Sequence, residues 1–233
     1  MSDHVLGAIS VRAVLNGGVR DVEAILVSNR NRHRRLVESS ERAGIPIEEV
    51  STETLDEIGR GHAGIGARVG PRAFRDPDEL WDGTFLVHLD GIEDPFNFGQ
   101  AVRTLHAAGC DGVFLAPRNW TTATATVTRA SAGATELVPM AIAEAEDVAA
   151  EAKRREFNVV AGAERDDSVT LWDVDLTGPT LLFVGGEHRG VTRSVLAELT
   201  AVRIPYGIEW DKSLGTVAAT AVLAFEVRRQ RQV

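Results

Sequence analysis

An alternation running from about residue 84 to the end of the chain restricts the fold more than any other feature. Short apolar runs bounded by Gly, Pro and Asp take turns with stretches of helical period. TFLVHLD, GVFLAP, FNVVAGA, TLLFVGGE and AVRIPYG are of strand length and nearly continuous in apolar residues, the pattern of strands buried on both faces. Between and after them, AVRTLHAAG, EDVAAEAKRREF, VTRSVLAELT and the long SLGTVAATAVLAFEVRRQ carry helical spacing. Such a sequence predicts an α/β fold with a mostly parallel sheet covered on both faces. Ligands of these sheets gather beyond the carboxyl ends of the strands. Three polar, Gly-rich pieces fall there: DGIEDPFNFG after TFLVHLD, GGEHRG after LLFV, and GIEWDKSLG after RIPY.

The preceding residues alternate too. GAISVRAVLNGG reads as an amphipathic helix ending at a Gly pair, VEAILVSN as a strand, RHRRLVESSERAGI as a helix closed by Gly44, PIEEVS as a short strand and TETLDEIGR as a third helix. PRAFRDPDELWDG, rich in Pro and Asp, reads as a linker. The expected organisation is therefore a small α/β domain over residues 1–70, a linker over 71–82 and a larger domain over 83–233.

Composition narrows the function classes. The apolar share of 44% and charged share of 25% are those of a globular protein, with no run near the ~20 apolar residues of a membrane span. Cys110 is the single cysteine, so no intramolecular disulfide forms, and the start MSDHVLGAIS lacks a basic segment followed by an apolar core. A cytoplasmic location is the expectation. The net charge of −9 argues against a general nucleic-acid binder, but it is uneven. Residues 1–75 carry 11 Lys+Arg against 10 Asp+Glu, and residues 76–233 carry 14 against 24. Within the first part, Arg30, Arg32, Arg34 and Arg35 cluster in NRNRHRR, either as phosphate contacts or as a solvated helix start. His88, His106 and His188 lack metal-ligand spacing, so no metal is expected. His62 and Cys110 read as structural. Trp120, Trp172 and Trp210 either pack or stack on bases, with Trp210 the best placed to stack.

GGEHRG alone is a weak signal, since it has neither the Lys-Ser/Thr of a P-loop nor GxGxxG spacing. It reads as a strand-to-helix turn whose backbone N–H groups face an anion. In DPFNFGQAVRTLHAAG, Asn97-Phe98-Gly99 reads as a turn before a helix carrying Arg103. Taken together, NFGQAVRTLHAAG, FVGGEHRG and IPYGIEWDKSLGTVAATAVLAFE resemble the three signature motifs of the SpoU/TrmH family, the SPOUT ribose 2′-O-methyltransferases of RNA. ASAGATELVP resembles the family's intervening segment, and the likeness covers roughly residues 84 to 230. GAISVRAVLNGGVRDVEAILVS and HAGIGARV resemble the small ribosomal-protein-like RNA-binding domain that many members carry in front.

The resemblance implies a deep C-terminal trefoil knot, S-adenosylmethionine as cofactor, a homodimer whose active site draws on both subunits, and structured RNA, ribosomal RNA favoured, as substrate. By matching positions it implies Gly185, Gly186, Ile204, Tyr206 and Leu214 as cofactor contacts. It implies Arg103, Asn97, Glu187 and Ser213 as the catalytic set, with Asn97 fixing the turn and Arg103, and Glu187 holding either the Gly-rich turn or the arginine in place. Since a guanidinium keeps its proton, the expected role of Arg103 is to grip a phosphate and stabilise developing alkoxide rather than to act as a base. One departure stands out: where the family runs Ser-Leu-Asn-Val-Ser, this chain has Ser213-Leu214-Gly215-Thr216-Val217. Gly215 would start the helix and allow close backbone approach, and Thr216 would replace part of the lost hydrogen bonding. An active enzyme is favoured; a catalytically retired RNA-binding homologue and a methyltransferase with a non-RNA substrate stay open as alternatives.

Overall fold

The structure, a computed structural model, describes residues 3–117 and 124–231. In chain order its elements are β1 (Asp3–Leu6), α1 (Ala8–Gly17), β2 (Val22–Val27), α2 (Arg34–Arg42), β3 (Ile47–Glu49), α3 (Thr52–Ile58), β4 (Ile65–Val69), α4 (Pro77–Leu80), β5 (Phe85–Asp90), α5 (Pro95–Ala108), β6 (Gly112–Leu115) and α6 (Thr124–Ala130). They continue with β7 (Met140–Ile142), α7 (Ala145–Arg154), β8 (Asn158–Gly162), β9 (Val169–Thr170), β10 (Thr180–Gly185), α8 (Arg193–Leu196), β11 (Thr200–Arg203) and α9 (Thr216–Gln230).

The chain divides into two compact units. Among the described residues, the first takes 3–73 and 124–137, and the second 74–117 and 138–231. The first holds a four-stranded mixed sheet ordered β1-β4-β2-β3, in which β4 runs antiparallel to β1 and β2 while β3 runs parallel to β2. Its core is Val5, Val11, Val14, Ile25, Leu36, Ile65, Ala67 and Val69.

Residues 124–137 were expected in the second domain; the structure packs them in the first. A buried charge is the reason. The Glu136 carboxylate is fully buried and accepts from Arg20 Nε at 3.2 Å, Arg72 Nη2 at 2.7 Å and Thr128 Oγ1 at 3.3 Å. An unpaired carboxylate there would cost several kcal/mol, so the segment has to lie where both guanidinium groups are. α1 comes close enough that a Cβ on Gly17 would overlap the Glu136 carbonyl. Further elements were also unforeseen: the four-residue edge strand β1, the strands β4, β7 and β9, the helix α6, and α4 inside the expected linker. The Asp and Pro that signalled a linker are the N-cap and first residue of this single turn, Asp76 accepting from Asp78 N at 3.0 Å.

The second unit holds a seven-stranded, wholly parallel sheet ordered β7-β6-β5-β10-β8-β11-β9. Every residue of β5 is buried, as a parallel strand with two covered faces requires. Leu86, Phe114, Ala161, Leu181 and Phe183 pack with Val148, Ala149 and Ala152 of α7 and Val195 of α8. Gly162, one residue past Ala161, faces the other way, where Leu223 of α9 sits so close that a Cβ would lie 2.6 Å from its Cδ1. α9 packs in turn along α5. After β7 the chain returns to the opposite half of the sheet, and β10 then inserts between β5 and β8. The carboxyl ends of β5, β10, β8 and β11 therefore lie side by side, the place where doubly covered sheets hold ligands.

Candidate active site

β10 delivers Gly185 and Gly186 into a crowded crossing. A Cβ on Gly185 would overlap the backbone of Gly190 and Val191, and one on Gly186 would overlap the carbonyl of Gly91. Only glycine lets three backbone segments meet there. Asp90, at the end of β5, secures the crossing: its carbonyl accepts from Gly186 N at 2.7 Å and its Oδ2 from Thr192 N at 2.6 Å. The expected strand-to-helix turn does not form. Gly186 and Gly190 are bridged, the loop folds back on itself, and α8 begins only at Arg193 and lasts four residues. No helix terminus lies at GGEHRG to receive an anion.

Beyond β11 the chain passes Ile204 and Tyr206 and returns at Ser213 to Gly215, the N-cap of α9. Tyr206 Oη accepts from Leu214 N at 3.0 Å, so the two limbs of this loop are tied. Thr216, buried, donates through Oγ1 to the Gly185 carbonyl at 3.3 Å, joining the loop to the Gly crossing. The expected close approach at Gly215 is absent: its φ is −59° and a Cβ there would meet nothing within 4 Å.

The loops after β8, β10 and β11 wall a cavity of about 550 Å³, within the range of small-molecule sites. Gly185, Gly186, Glu187, Ile204, Tyr206, Ser213 and Leu214 all line it, as do Gly162, Ala163, Glu164, Arg189, Arg193, Arg203, Thr216 and Leu223. The contribution of the β8 loop escaped sequence reasoning, although the Gly-Ala-Glu run closing FNVVAGAE was the available signal.

Asn97 and Arg103 do not line this cavity. The expected turn at Asn97-Phe98-Gly99 is the opening of α5: Asp94 is its N-cap, accepting from Asn97 N at 2.7 Å, and Pro95 is its first residue. Asn97 Nδ2 donates to Glu187 Oε1 at 2.8 Å, and Glu93 N donates to Glu187 Oε2 at 3.3 Å. Burial pushes the Glu187 carboxyl up. The bonds from Asn97 and from the backbone N–H groups of Glu187 and Glu93, with His188 nearby, outweigh that and hold it below the ordinary carboxylate range. Glu187 thus clamps the Gly loop to the start of α5. The expected grip on Arg103 is not made: Arg103, two turns on, is exposed and has no side-chain partner among the described residues.

In the first unit, NRNRHRR is less free than its sequence suggests. Arg30 pairs with Glu41 and with Glu49, and Arg34 lies 3.6 Å from Glu38; Arg32 and Arg35 are exposed without ion pairs among the described residues. His62 accepts from Gly64 N at 2.9 Å and meets Asp56 at 3.0 Å, a turn-fixing role. Burial pushes the Cys110 thiol up to about 12, which leaves it unreactive. No cluster of three or more metal-ligating side chains occurs among the described residues, and no helix there is long and apolar enough to cross a membrane. Trp120 lies outside the described residues.

Residues 84–225 match the SpoU rRNA Methylase family. An uncharacterised tRNA/rRNA methyltransferase of Mycobacterium sp. (strain KMS) is 34% identical, over 99% of this chain and 77% of that protein. The AdoMet-bound rRNA methyltransferase from Sinorhizobium meliloti superposes with a TM-score of 0.81 at 25% identity, covering 98% of this chain and 87% of its own. The SpoU methyltransferase AviRb from Streptomyces viridochromogenes, in complex with AdoMet, gives 0.82 at 20% identity over 99% and 90%, a likeness of fold. A family match over more than half the chain, laid on the same Gly crossing and α9 loop that wall the cavity, places the protein: it belongs to the SpoU rRNA methylase family.

Proposed function

We propose that the protein transfers a methyl group from S-adenosylmethionine to a ribose 2′-hydroxyl of structured RNA, ribosomal RNA favoured over transfer RNA. The observation that carries this reading is the cavity itself, where every residue proposed from sequence to contact the cofactor, namely Gly185, Gly186, Ile204, Tyr206 and Leu214, lines one wall system. Its chemistry fits the cofactor. Side-chain-free backbone at Gly162, Gly185 and Gly186 and apolar Val184, Ile204 and Leu223 suit a flat purine. S-Adenosylmethionine supplies an electrophilic methyl group when bound. The chain's own task is to bring in a hydroxyl in line and to stabilise the charge it develops. Glu187 and Asn97 hold the Gly loop in place, Ser213 stands ready at the rim, and Arg103 is the charge-stabilising group. The preference for ribosomal RNA rests on the named activity of the Sinorhizobium protein, whose likeness extends over both units of this chain.

Arg103 stands outside its own chain's cavity, so the proposal includes a homodimer in which each subunit lends Arg103 to the other. α5 and α9 pack together and present Phe96 and Phe225, 53% and 48% exposed, as apolar contacts for such a partner. A C-terminal trefoil knot belongs to the same proposal, since it would gather the three loops that wall the cavity. The test is methyl transfer from labelled S-adenosylmethionine to RNA lacking the modification. Label should enter ribosomal RNA as alkali-resistant 2′-O-methyl dinucleotides and disappear with Arg103→Ala. Mixing Arg103→Ala with a cofactor-binding mutant such as Gly186→Ala should restore activity through composite sites; label on bases, or no restoration, would refute the corresponding part.

A further inference from the structure

A second cavity, about 660 Å³, opens beside the first and shares Glu164, Arg203, Ile204 and Tyr206 with it; Ile208, Glu209, Trp210 and Asp211 complete its wall. Between Gly207 and Ser213 this loop makes no backbone–backbone hydrogen bond among the described residues. Its aromatic pair is nevertheless anchored. Tyr206, fixed through its hydroxyl to Leu214 N, has its ring 5.8 Å from that of Trp210, inclined at 51°. Trp210 remains 51% exposed and Ile208 75%, large apolar surfaces left open beside a ligand cavity. An indole held on one side and open on the other is suited to a flat apolar partner.

The charges are unevenly spread over the two cavities: Arg189, Arg193 and Glu187 line only the first, Glu209 and Asp211 only the second, and Glu164 and Arg203 line both. Among the described residues Arg189, Arg193 and Arg203 have no carboxylate partner and Glu164 and Glu209 no cationic one, while Asp211 is held by Lys212 at 2.7 Å. Carboxylates repel phosphate and accept from amino groups, and free guanidinium groups do the reverse. We infer that the second cavity is a nucleobase subsite, in which a base of the RNA substrate stacks on Trp210 and donates its exocyclic amino group to Glu164 or Glu209. The sugar–phosphate chain then leaves past Arg203 towards Arg189 and Arg193. An amino-bearing base is favoured over uracil, which offers two carbonyls and one N–H. The inference rests on RNA as the substrate, but its test needs no methyl transfer.

Single-stranded RNA octamers carrying one 2-aminopurine are titrated with the full-length protein, and quenching of the analogue reports stacking. Wild-type protein should quench it. Trp210→Ala should remove most of the quenching and weaken binding about tenfold or more, whereas Trp210→Phe retains both. Glu164→Gln combined with Glu209→Gln should erase a wild-type preference for adenine over uracil octamers. S-Adenosylmethionine affinity, measured calorimetrically on Trp210→Ala, should stay within about twofold. Absence of quenching by wild-type protein, or equal quenching by Trp210→Ala, overturns the subsite. Loss of S-adenosylmethionine binding in Trp210→Ala overturns it as well, by assigning the cavity to the cofactor. A protein that stacks the probe yet methylates no RNA would refute the proposed reaction and leave the subsite standing.

Discussion

The two glycines at the β10 crossing and Gly215 at the head of α9 line the same cavity, yet they are there for opposite reasons. At Gly185 and Gly186 any side chain would collide with backbone, which cannot move aside without parting the strand ends. At Gly215 the backbone has an ordinary negative φ and open space where a side chain would go. One turn is closed to substitution by packing; the other has room for a side chain. The joint between them is the Thr216 hydroxyl on the Gly185 carbonyl.

The strongest way to break this contrast is Gly186→Ala. Overlap with a backbone carbonyl predicts a loss of about 3 kcal/mol or more of unfolding free energy in denaturant titrations, with loss of S-adenosylmethionine binding. A stable, binding-competent variant would show that the crossing yields. Asn97→Ala should come next. It frees Glu187 from its side-chain donor and should lower methyl transfer roughly tenfold at saturating S-adenosylmethionine, because the Gly loop loses its attachment to α5.

Acid provides a third probe of the rigid turn. The Glu187 carboxyl titrates below its ordinary 4.5 in the folded protein, so its contribution is complete above that value and is lost as pH falls through the folded one. Cofactor affinity should therefore decline below about pH 4.5 in the wild type relative to Glu187→Gln, and parallel curves would count against the clamp. Thr216→Val removes one hydrogen bond and leaves a carbonyl unserved, for about 1 kcal/mol, or a fall in Tm of roughly 2–4 °C. The smallest effect belongs to Gly215→Asn. An asparagine N-cap in open space should change stability by only a few tenths of a kcal/mol, upward, with methyl transfer undiminished. A drop of several degrees would place Gly215 beside the crossing glycines after all.

The parallel sheet was legible because buried strands write themselves as continuous apolar runs, and the cavity walls were legible because glycine at a strand end marks a close approach. Local patterns failed where partners are remote. Asp94-Pro95 could be read as a loop or as a cap and first residue, and only the structure shows α5 beginning there, which turned an expected turn at Asn97 into a helix start. The pairing of Asn97 with Glu187, 90 residues away, has no local signal, and neither does the freedom of Arg103 from both. NRNRHRR looked uniformly cationic until Glu41 and Glu49 folded against Arg30.

Glu136 carries a consequence for how this protein is made. Because its carboxylate neutralises Arg20 and Arg72 from more than sixty residues downstream, the first unit lacks an essential piece until the ribosome has passed residue 136. A nascent or recombinant fragment ending near residue 73 would carry two arginines built for an absent carboxylate. Cutting the gene at the visible linker would sever the amino-terminal unit from its own keystone.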